Sequence, residues 1–325
     1  MGTRGRPSVD KLVQSARDGS PRAVARLISL VENADDALRE AMAALAPHTG
    51  NAWMIGLTGS PGVGKSTTTT MLVSAFRARG LRVAVLAVDP SSPFSGGALL
   101  GDRIRMGDHA LDPMVYIRSM ASRGHLGGLS WATPQALRVL DAAGFDVILV
   151  ETVGVGQSEI DVAGMADTTV VLLAPGMGDG IQAAKAGILE VGDVFLVNKA
   201  DRDGADVTVR EIRHMISLGD RFEAGDWRPP VVKTISARSE GLEDALEALD
   251  KHLAWSQESG GLERRRAARA GREVEAIALA QLRQQMGDLA SGASLSALAK
   301  QVAQGELDPY AAADVVLSEL GTAQH

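Results

Sequence analysis

Residues 56–66 read Gly-Leu-Thr-Gly-Ser-Pro-Gly-Val-Gly-Lys-Ser, and Gly59–Ser66 fills G-x-x-x-x-G-K-[ST] at every fixed position. Met54–Leu57 before it reads as a short strand, and Thr67–Arg79 after it reads as a helix. Strand, glycine-rich turn and helix in that order describe a phosphate-binding loop. Gly59, Gly62 and Gly64 let the backbone curl around phosphates with no Cβ in the way. The N–H groups of that curl and of the following helix then point at the anion. Lys65 is expected to reach the β- and γ-phosphates and the Ser66 hydroxyl to bind Mg²⁺. Ser60, Pro61, Val63 and Thr67 complete the phosphate-side set. The bland reading is a chance glycine-rich turn, which the intact Gly-Lys-Ser ending disfavours.

A phosphate loop does not name the base. Val194–Val197 is an apolar run of four, read as a buried strand, and Asn198-Lys199-Ala200-Asp201 stands at its C-terminal end. Open parallel sheets bind ligands at that end of their strands. The Asp201 carboxylate can accept from guanine N1–H and the 2-amino group; adenine has no donor at either place and would leave it unpaired. Asn198 can contact the base or brace the phosphate loop, and the Lys199 stem can lie along the ring. Thr234-Ile235-Ser236-Ala237 reads as another strand end offering N–H groups to the guanine O6, so Ser236, Ala237 and Arg238 join the base side. GTP and GDP are the expected nucleotides.

Acidic residues between these sites address the metal. Strand 146–150 is followed by Glu151-Thr152-Val153-Gly154, where most GTPases carry D-x-x-G. Glu151 stands for the acid, one methylene longer, and Gly154 for the N–H donor to the γ-phosphate. Strand Val83–Val88 runs into Asp89, and Asp102 lies in the glycine-rich stretch 96–102. Mg²⁺ takes one or two carboxylates with phosphates and waters, so three candidates exceed its needs; Asp102 is equally well a solvated loop acid.

Residues 1–48 form an N-terminal helical extension: Ser20 is an N-cap, Pro21 sits at the first helical position, and Val24, Leu27, Ile28 and Val31 make one buried stripe. Residues 49–255 alternate strand and helix; one helix starts at Thr133-Pro134 and ends at Gly144. That alternation means an α/β fold with a mostly parallel sheet. After Ser259-Gly260-Gly261 the chain turns helical again, giving a C-terminal helical extension over 256–325.

The chain has 325 residues, enough for one large α/β domain with helical additions, and its 33 basic against 40 acidic residues give a net charge of −7. Such a balance argues against a nucleic-acid footprint. The absence of cysteine excludes disulfides and thiolate metal sites and suits a cytoplasmic protein. No apolar run approaches the ~18 residues of a membrane helix, and the start has no apolar signal-peptide core. The six histidines show no pair at metal-ligand spacing; His125, in a glycine-rich loop, is read as surface packing. Glu263-Arg264-Arg265-Arg266, with Arg269 and Arg272, is either a basic face for an acidic partner or, more commonly, the solvated face of a helix. Val274, Ile277, Ala278, Leu282 and Met286 make an apolar stripe that serves either a dimer seam or packing on the sheet domain.

TGSPGVGKST (58–67), AVDPSSPFSGGALLGDRIRM (87–106), RGHLGGLS (123–130), ETVGVGQSE (151–159), PGMGDGIQAAKAGILE (175–190) and NKAD (198–201) together resemble the MeaB/ArgK family of G proteins. The resemblance covers roughly residues 50–240. It implies a P-loop GTPase domain flanked by the two extensions, acting as a chaperone for adenosylcobalamin-dependent methylmalonyl-CoA mutase. GTP hydrolysis would gate cofactor loading and protect the mutase, and the C-terminal extension would join a homodimer. By position, Lys65 and Ser66 would bind phosphate and Mg²⁺, and Asp89, Asp102 and Glu151 would line the metal side. Lys185, counted among the catalytic candidates, and Gln182 would lie in an additional switch that reports nucleotide state. Gln157 stands three residues after Gly154 instead of beside it, which implies slow turnover without a partner.

Two other functions compete. A metallochaperone GTPase of the nickel-insertion type is expected to show Cys or His ligands. A small-molecule kinase would need an acceptor pocket and lid, and N-K-x-D would be odd in it.

Overall fold

The structure, a computed structural model, describes residues 8–89, 107–109, 111–121, 132–152, 158–176, 188–219, 223, 225–290 and 293–322. The chain divides into two compact units, 1–267 and 268–325. The first is built on seven strands: β1 (Trp53–Thr58), β2 (Val83–Asp89), β3 (Val115–Ala121), β4 (Val147–Thr152), β5 (Thr168–Leu173), β6 (Val194–Val197) and β7 (Val231–Lys233). They lie in the order β3-β2-β4-β1-β5-β6-β7, and neighbours pair in parallel. The expected mostly parallel α/β sheet is therefore present. Runs such as Val147-Ile148-Leu149-Val150 suit it, because a parallel sheet covered on both faces has no polar side to feed. From β1 the chain moves out to β2 and β3, returns through β4, and leaves on the other side through β5 to β7. That reversal opens a crevice at the carboxyl end of β1, where ligands of such sheets bind.

Side chains alternate between the two faces. Met54, Ala84, Leu86, Ile148 and Val150 face a core formed with α1 (Val9–Arg17), α2 (Pro21–Glu32), α3 (Leu38–Leu45) and α5 (Ala132–Ala142). Ile55, Leu57, Val85, Leu149 and Leu172 face the opposite core, with Leu72, Val73 and Phe76 of α4 (Lys65–Ala78). The Ser20 hydroxyl accepts from the Ala23 N–H at 3.3 Å, capping α2, and Val24, Leu27, Ile28 and Val31 are all buried. Burial of each such side chain contributes about 1.5–3 kcal/mol. Gly56 allows α6 (Ser158–Met165) to press on β1: a Cβ there would lie 2.5 Å from Val162 Cγ1. The first unit is completed by α7 (Ile188–Val191), α8 (Ala205–Gly219), α9 (Leu242–Glu258) and the start of α10 (Gly261–Ala290).

Three boundaries differ from the sequence reading. Helix α4 begins at Lys65, ahead of Thr67, because Gly64 adopts φ +101° and its carbonyl takes the first helical bond, from Thr68 N–H at 2.9 Å. Strand β4 runs on through Thr152, because β2 pairs with Glu151 and Thr152 as far as its own end. Strand β7 stops at Lys233, opposite Val197, where its sole sheet neighbour β6 also stops; Ser236–Arg238 is a 3₁₀ turn instead of a strand end.

Two members of the arginine run follow neither reading proposed for it, while Arg264 and Arg272 are exposed as on a solvated face. Arg265 lies on Asp193 with nitrogen–oxygen distances of 2.7 and 2.6 Å. Arg266 meets Asp167 at 2.8 Å and donates to the carbonyls of Gly50 at 2.5 Å and Ala52 at 2.8 Å. Both arginines thus bind the amino-terminal edge of their own sheet, opposite the crevice. Burial opposes ionisation of Asp193, and hydrogen bonds from Arg265 and His252 outweigh it, holding its carboxyl below the usual carboxylate range. His252 is fully buried, with Nδ1 2.9 Å from the Thr168 hydroxyl and Nε2 3.2 Å from Asp193.

The second unit contains the remainder of α10, α11 (Ala293–Ala303) and α12 (Pro309–Thr322). Val274, Ile277, Leu279 and Leu282 are exposed on α10. Among the described residues no helix is long and apolar enough to cross a membrane.

Candidate functional site: a phosphate loop and a base-side loop

At the carboxyl end of β1 the chain turns through residues 59–64 into α4. Gly59, Gly62 and Gly64 have φ of +139°, +80° and +101°, values that L side chains rarely adopt. The neighbours of these glycines belong to the protein itself. A Cβ on Gly59 would lie 2.3 Å from the Leu172 carbonyl oxygen, and one on Gly64 would lie 2.3 Å from Asn198 Nδ2; one on Gly62 would meet nothing within 4 Å. Two of the three glycines therefore let β5 and Asn198 approach the loop. Lys65 is buried and its ammonium donates to the carbonyls of Gly59 at 2.5 Å and Ser60 at 3.3 Å. The N–H groups of Lys65, Ser66 and Thr67 precede the first helical bond of α4, which makes the helix mouth an anion-binding surface. Ser60, Gly64 and Ser66 are half-buried, Pro61, Gly62 and Thr67 exposed, and Val63 buried.

On the base side, Asn198 braces the loop. Its Nδ2 donates to the Val63 carbonyl at 2.8 Å, and its Oδ1 accepts from the N–H and the hydroxyl of Ser236, each at 3.0 Å. The Ser236 N–H is thereby engaged by Asn198. Lys199, at φ +56°, donates to the Gly62 carbonyl at 2.6 Å. Asp201 is half-exposed and stands 3.8 Å from Arg238, which also meets Glu240 at 2.9 Å; Ala237 is exposed beside them. The structure thus sets Asn198 and Lys199 against the phosphate loop, with Ser236 on Asn198 and Arg238 beside Asp201.

Glu151 sits inside β4, fully buried, in register with Leu57 on one side and Ala87 on the other. Thr69 Oγ1 donates to Glu151 Oε2 at 2.5 Å. The Asp89 backbone pairs with Ala121 at the end of β2. The Asp89 side chain, together with Asp102, Gly154, Gln157, Gln182, Lys185 and His125, lies outside the described residues. Among the described residues no three His, Asp or Glu side chains gather as a metal site. A half-buried serine hydroxyl and a buried carboxylate are nonetheless hard oxygen donors, the kind that suits Mg²⁺ when phosphates and water supply the rest.

Sequence reading missed Thr68 and Thr69. Both are fully buried in the first turns of α4; Thr68 Oγ1 lies 2.8 Å from Ser236 Oγ, and Thr69 reaches Glu151. Thr67–Thr70 is a run of four β-branched residues inside a helix, where each costs a few tenths of a kcal/mol against a straight side chain. That cost was a signal that the hydroxyls have work to do.

A parallel sheet whose first strand enters a helix through such a loop, with N-K-x-D braced against it, defines a P-loop GTPase. The chain belongs to the family described as methylmalonyl Co-A mutase-associated GTPase MeaB, whose model matches residues 24–290. A protein of Pyrococcus abyssi described as a GTPase is 45% identical over 313 residues, covering 96% of this chain and 97% of that protein. The GTPase ArgK of Escherichia coli is 38% identical over 244 residues, 73% of each chain. A crystal structure described as a LAO/AO transport system kinase superposes with a TM-score of 0.69 at 26% identity, covering 98% of this chain and 100% of that one. The chain is therefore a nucleotide-binding enzyme that takes GTP and GDP and hydrolyses the former.

Proposed function

We propose that this GTPase is a nucleotide-driven switch acting on an adenosylcobalamin-dependent methylmalonyl-CoA mutase, gating cofactor loading and protecting the loaded mutase. One observation carries the client: the matching family is described as mutase-associated, and the match spans most of the chain. The loop N–H groups and Lys65 hold the phosphates, Asp201 reads the guanine edge, and Asn198 fixes the two sites to each other. Ser66 and Glu151, with Asp89 and Asp102 from the neighbouring segments, take the metal side. Mg²⁺ bound there would neutralise charge building on the β- and γ-phosphate oxygens. Water attacks the γ-phosphorus, the bond to the β–γ bridging oxygen breaks, and GDP and inorganic phosphate leave. Turnover is slow until the mutase completes the site, and Gly154, Gln182 and Lys185 belong to the segments that carry nucleotide state outward. The protein works in the cytoplasm as a homodimer joined through the C-terminal extension, a reading supported by the exposed Val274, Ile277 and Leu282.

The test is GTP hydrolysis by the purified chain alone and with the mutase of the same organism, in its apo and cobalamin-loaded forms. Turnover is expected to rise severalfold with mutase. Turnover that ignores both forms would leave a GTPase acting on some other client.

A further inference from the structure

We propose that Thr68 is a positioning residue for guanine discrimination, acting through Ser236 to hold the base-side loop in register with the phosphate loop. This rests on the reading of Asp201 as the guanine-recognising carboxylate.

A chain of buried hydrogen bonds carries the inference. Thr68 Oγ1 lies 2.8 Å from Ser236 Oγ; Ser236 Oγ and its N–H each donate to Asn198 Oδ1 at 3.0 Å; Asn198 Nδ2 donates to the Val63 carbonyl at 2.8 Å. Thr68, Ser236 and Asn198 are all buried. The bonds form a closed circuit from the first turn of α4 to the 3₁₀ turn, on to the end of β6, and back to the phosphate loop.

Each hydroxyl has one hydrogen, and two proton orders place one of them between Thr68 and Ser236; a third, with Thr68 donating to the Gly64 carbonyl and Ser236 to Asn198, would set the two oxygens lone pair to lone pair at 2.8 Å, which is repulsive. In one, Thr68 donates to Ser236 and Ser236 donates to Asn198. In the other, Thr68 donates to the Gly64 carbonyl, 3.0 Å away, and Ser236 donates to Thr68. Both orders keep the Thr68–Ser236 bond, and in both the Ser236 N–H still holds Asn198.

The consequence falls on the base more than on the phosphates. The backbone at Asn198 is held independently, by its N–H to the Leu173 carbonyl at 2.8 Å and by the Ala200 N–H to the Thr234 carbonyl at 3.1 Å. Ser236–Arg238 is an exposed turn apart from Ser236 itself, and it carries Arg238 to within 3.8 Å of Asp201. Thr68 fastens that turn from below. Removing its hydroxyl takes away one of the bonds that hold the turn beside Asp201, leaving the Ser236 N–H on Asn198, while Lys65 and the helix mouth keep their places.

The experiment compares GDP with inosine diphosphate, which lacks the 2-amino group, by equilibrium binding and by dissociation of a fluorescent GDP analogue. Thr68→Val keeps the shape and loses the hydroxyl; it should weaken GDP binding roughly fivefold, as expected for one buried neutral hydrogen bond. Inosine diphosphate should lose less, so the GDP preference shrinks severalfold. Thr68→Ser should restore the preference. Ser236→Ala removes the same link from the other end together with the Ser236 Oγ–Asn198 bond, so it should shrink the preference at least as far. It reads the link even if Thr68→Val fails to fold, and Thr68→Val should add nothing on that background. A Thr68→Val protein with lowered thermal stability but the wild-type GDP preference would overturn the proposal and leave Thr68 a packing residue. Asp201→Asn is the control. If it shifts the preference while Thr68→Val and Ser236→Ala do not, only the present proposal falls; if Asp201→Asn leaves the preference intact, the guanine-reading assignment falls as well.

Discussion

Arg265 lays its guanidinium across Asp193 with both carboxylate oxygens engaged, at 2.7 and 2.6 Å, at the edge of the sheet farthest from the phosphate loop. The Asp193 side chain is almost entirely buried, whereas that of Arg265 is 39% exposed, so the pair is only partly withdrawn from water. A planar fork matched to a carboxylate, with the Thr169 N–H on a remaining lone pair and His252 Nε2 3.2 Å away, is the arrangement that makes such burial tolerable.

Asp193→Asn should therefore lower unfolding free energy at neutral pH by about 2–4 kcal/mol, since it strands the Arg265 charge against a neutral amide. The pH dependence has a definite sign. The folded-state pKa of Asp193 is depressed, so its stabilisation is present above the unfolded carboxylate pKa and is lost as pH falls toward the folded value. Urea unfolding from about pH 6 down to about pH 3 should show the wild type losing stability more steeply than Asp193→Asn.

The three loop glycines should tolerate alanine unequally. Gly62→Ala meets open space and carries only the strain of φ +80°, about 1–2 kcal/mol. Gly59→Ala drives a methyl into the Leu172 carbonyl and should cost clearly more, with loss of soluble protein as the extreme outcome. Thermal unfolding of the two variants side by side checks the order; equal losses would mean that the contact with β5 relaxes freely.

Asp201→Asn should weaken GTP binding by about ten- to a hundredfold, because a charged acceptor of two hydrogen bonds becomes a group that must donate at one of them. Xanthosine triphosphate, whose 2-oxo group accepts, should gain relative to GTP. Titration with both nucleotides reads the exchange, and unchanged GTP preference would show that Asp201 does not face the base.

Thr69→Val removes the donor at 2.5 Å from Glu151 Oε2 without changing side-chain shape. Stability should fall by about 1–3 kcal/mol, the range for a buried charged acceptor losing one partner. If Glu151 serves the metal side, the Mg²⁺ concentration needed for half-maximal hydrolysis should rise as well. Thr69→Ser should recover both. A stability loss with no change in Mg²⁺ dependence would make Thr69 a structural support alone.

Legibility differed between parts of the chain for physical reasons. The capped start of α2, with Ser20, Pro21 and its four-residue stripe, was readable because every signal lies within one helix and decides the backbone locally. The strands β1, β2 and β6 were readable because a parallel sheet buried on both faces demands short unbroken apolar runs. The end of β4 was not, since Glu151 is polar and lies in a strand only because β1 and β2 flank it there. The arginines at 265 and 266 were misread for a related reason: a basic run on a helix looks solvated until the partners, Asp167 and Asp193, are known to stand opposite, more than seventy positions away in sequence.

The amino-acid sequence alone was enough for the α/β sheet, the phosphate loop at Gly59–Ser66 and the candidate guanine-reading segment at Asn198–Asp201, because glycine tolerance, hydrophobic period and donor–acceptor chemistry are properties of short stretches. Tertiary structure decided the rest. It showed Asn198 bracing the phosphate loop, gave Gly59 and Gly64 their neighbours, and joined Thr68 to Ser236 across 168 positions of chain. Such bonds depend on where two distant segments are brought by the sheet, and a buried hydroxyl or amide takes whichever partner the fold places within about 3 Å of it.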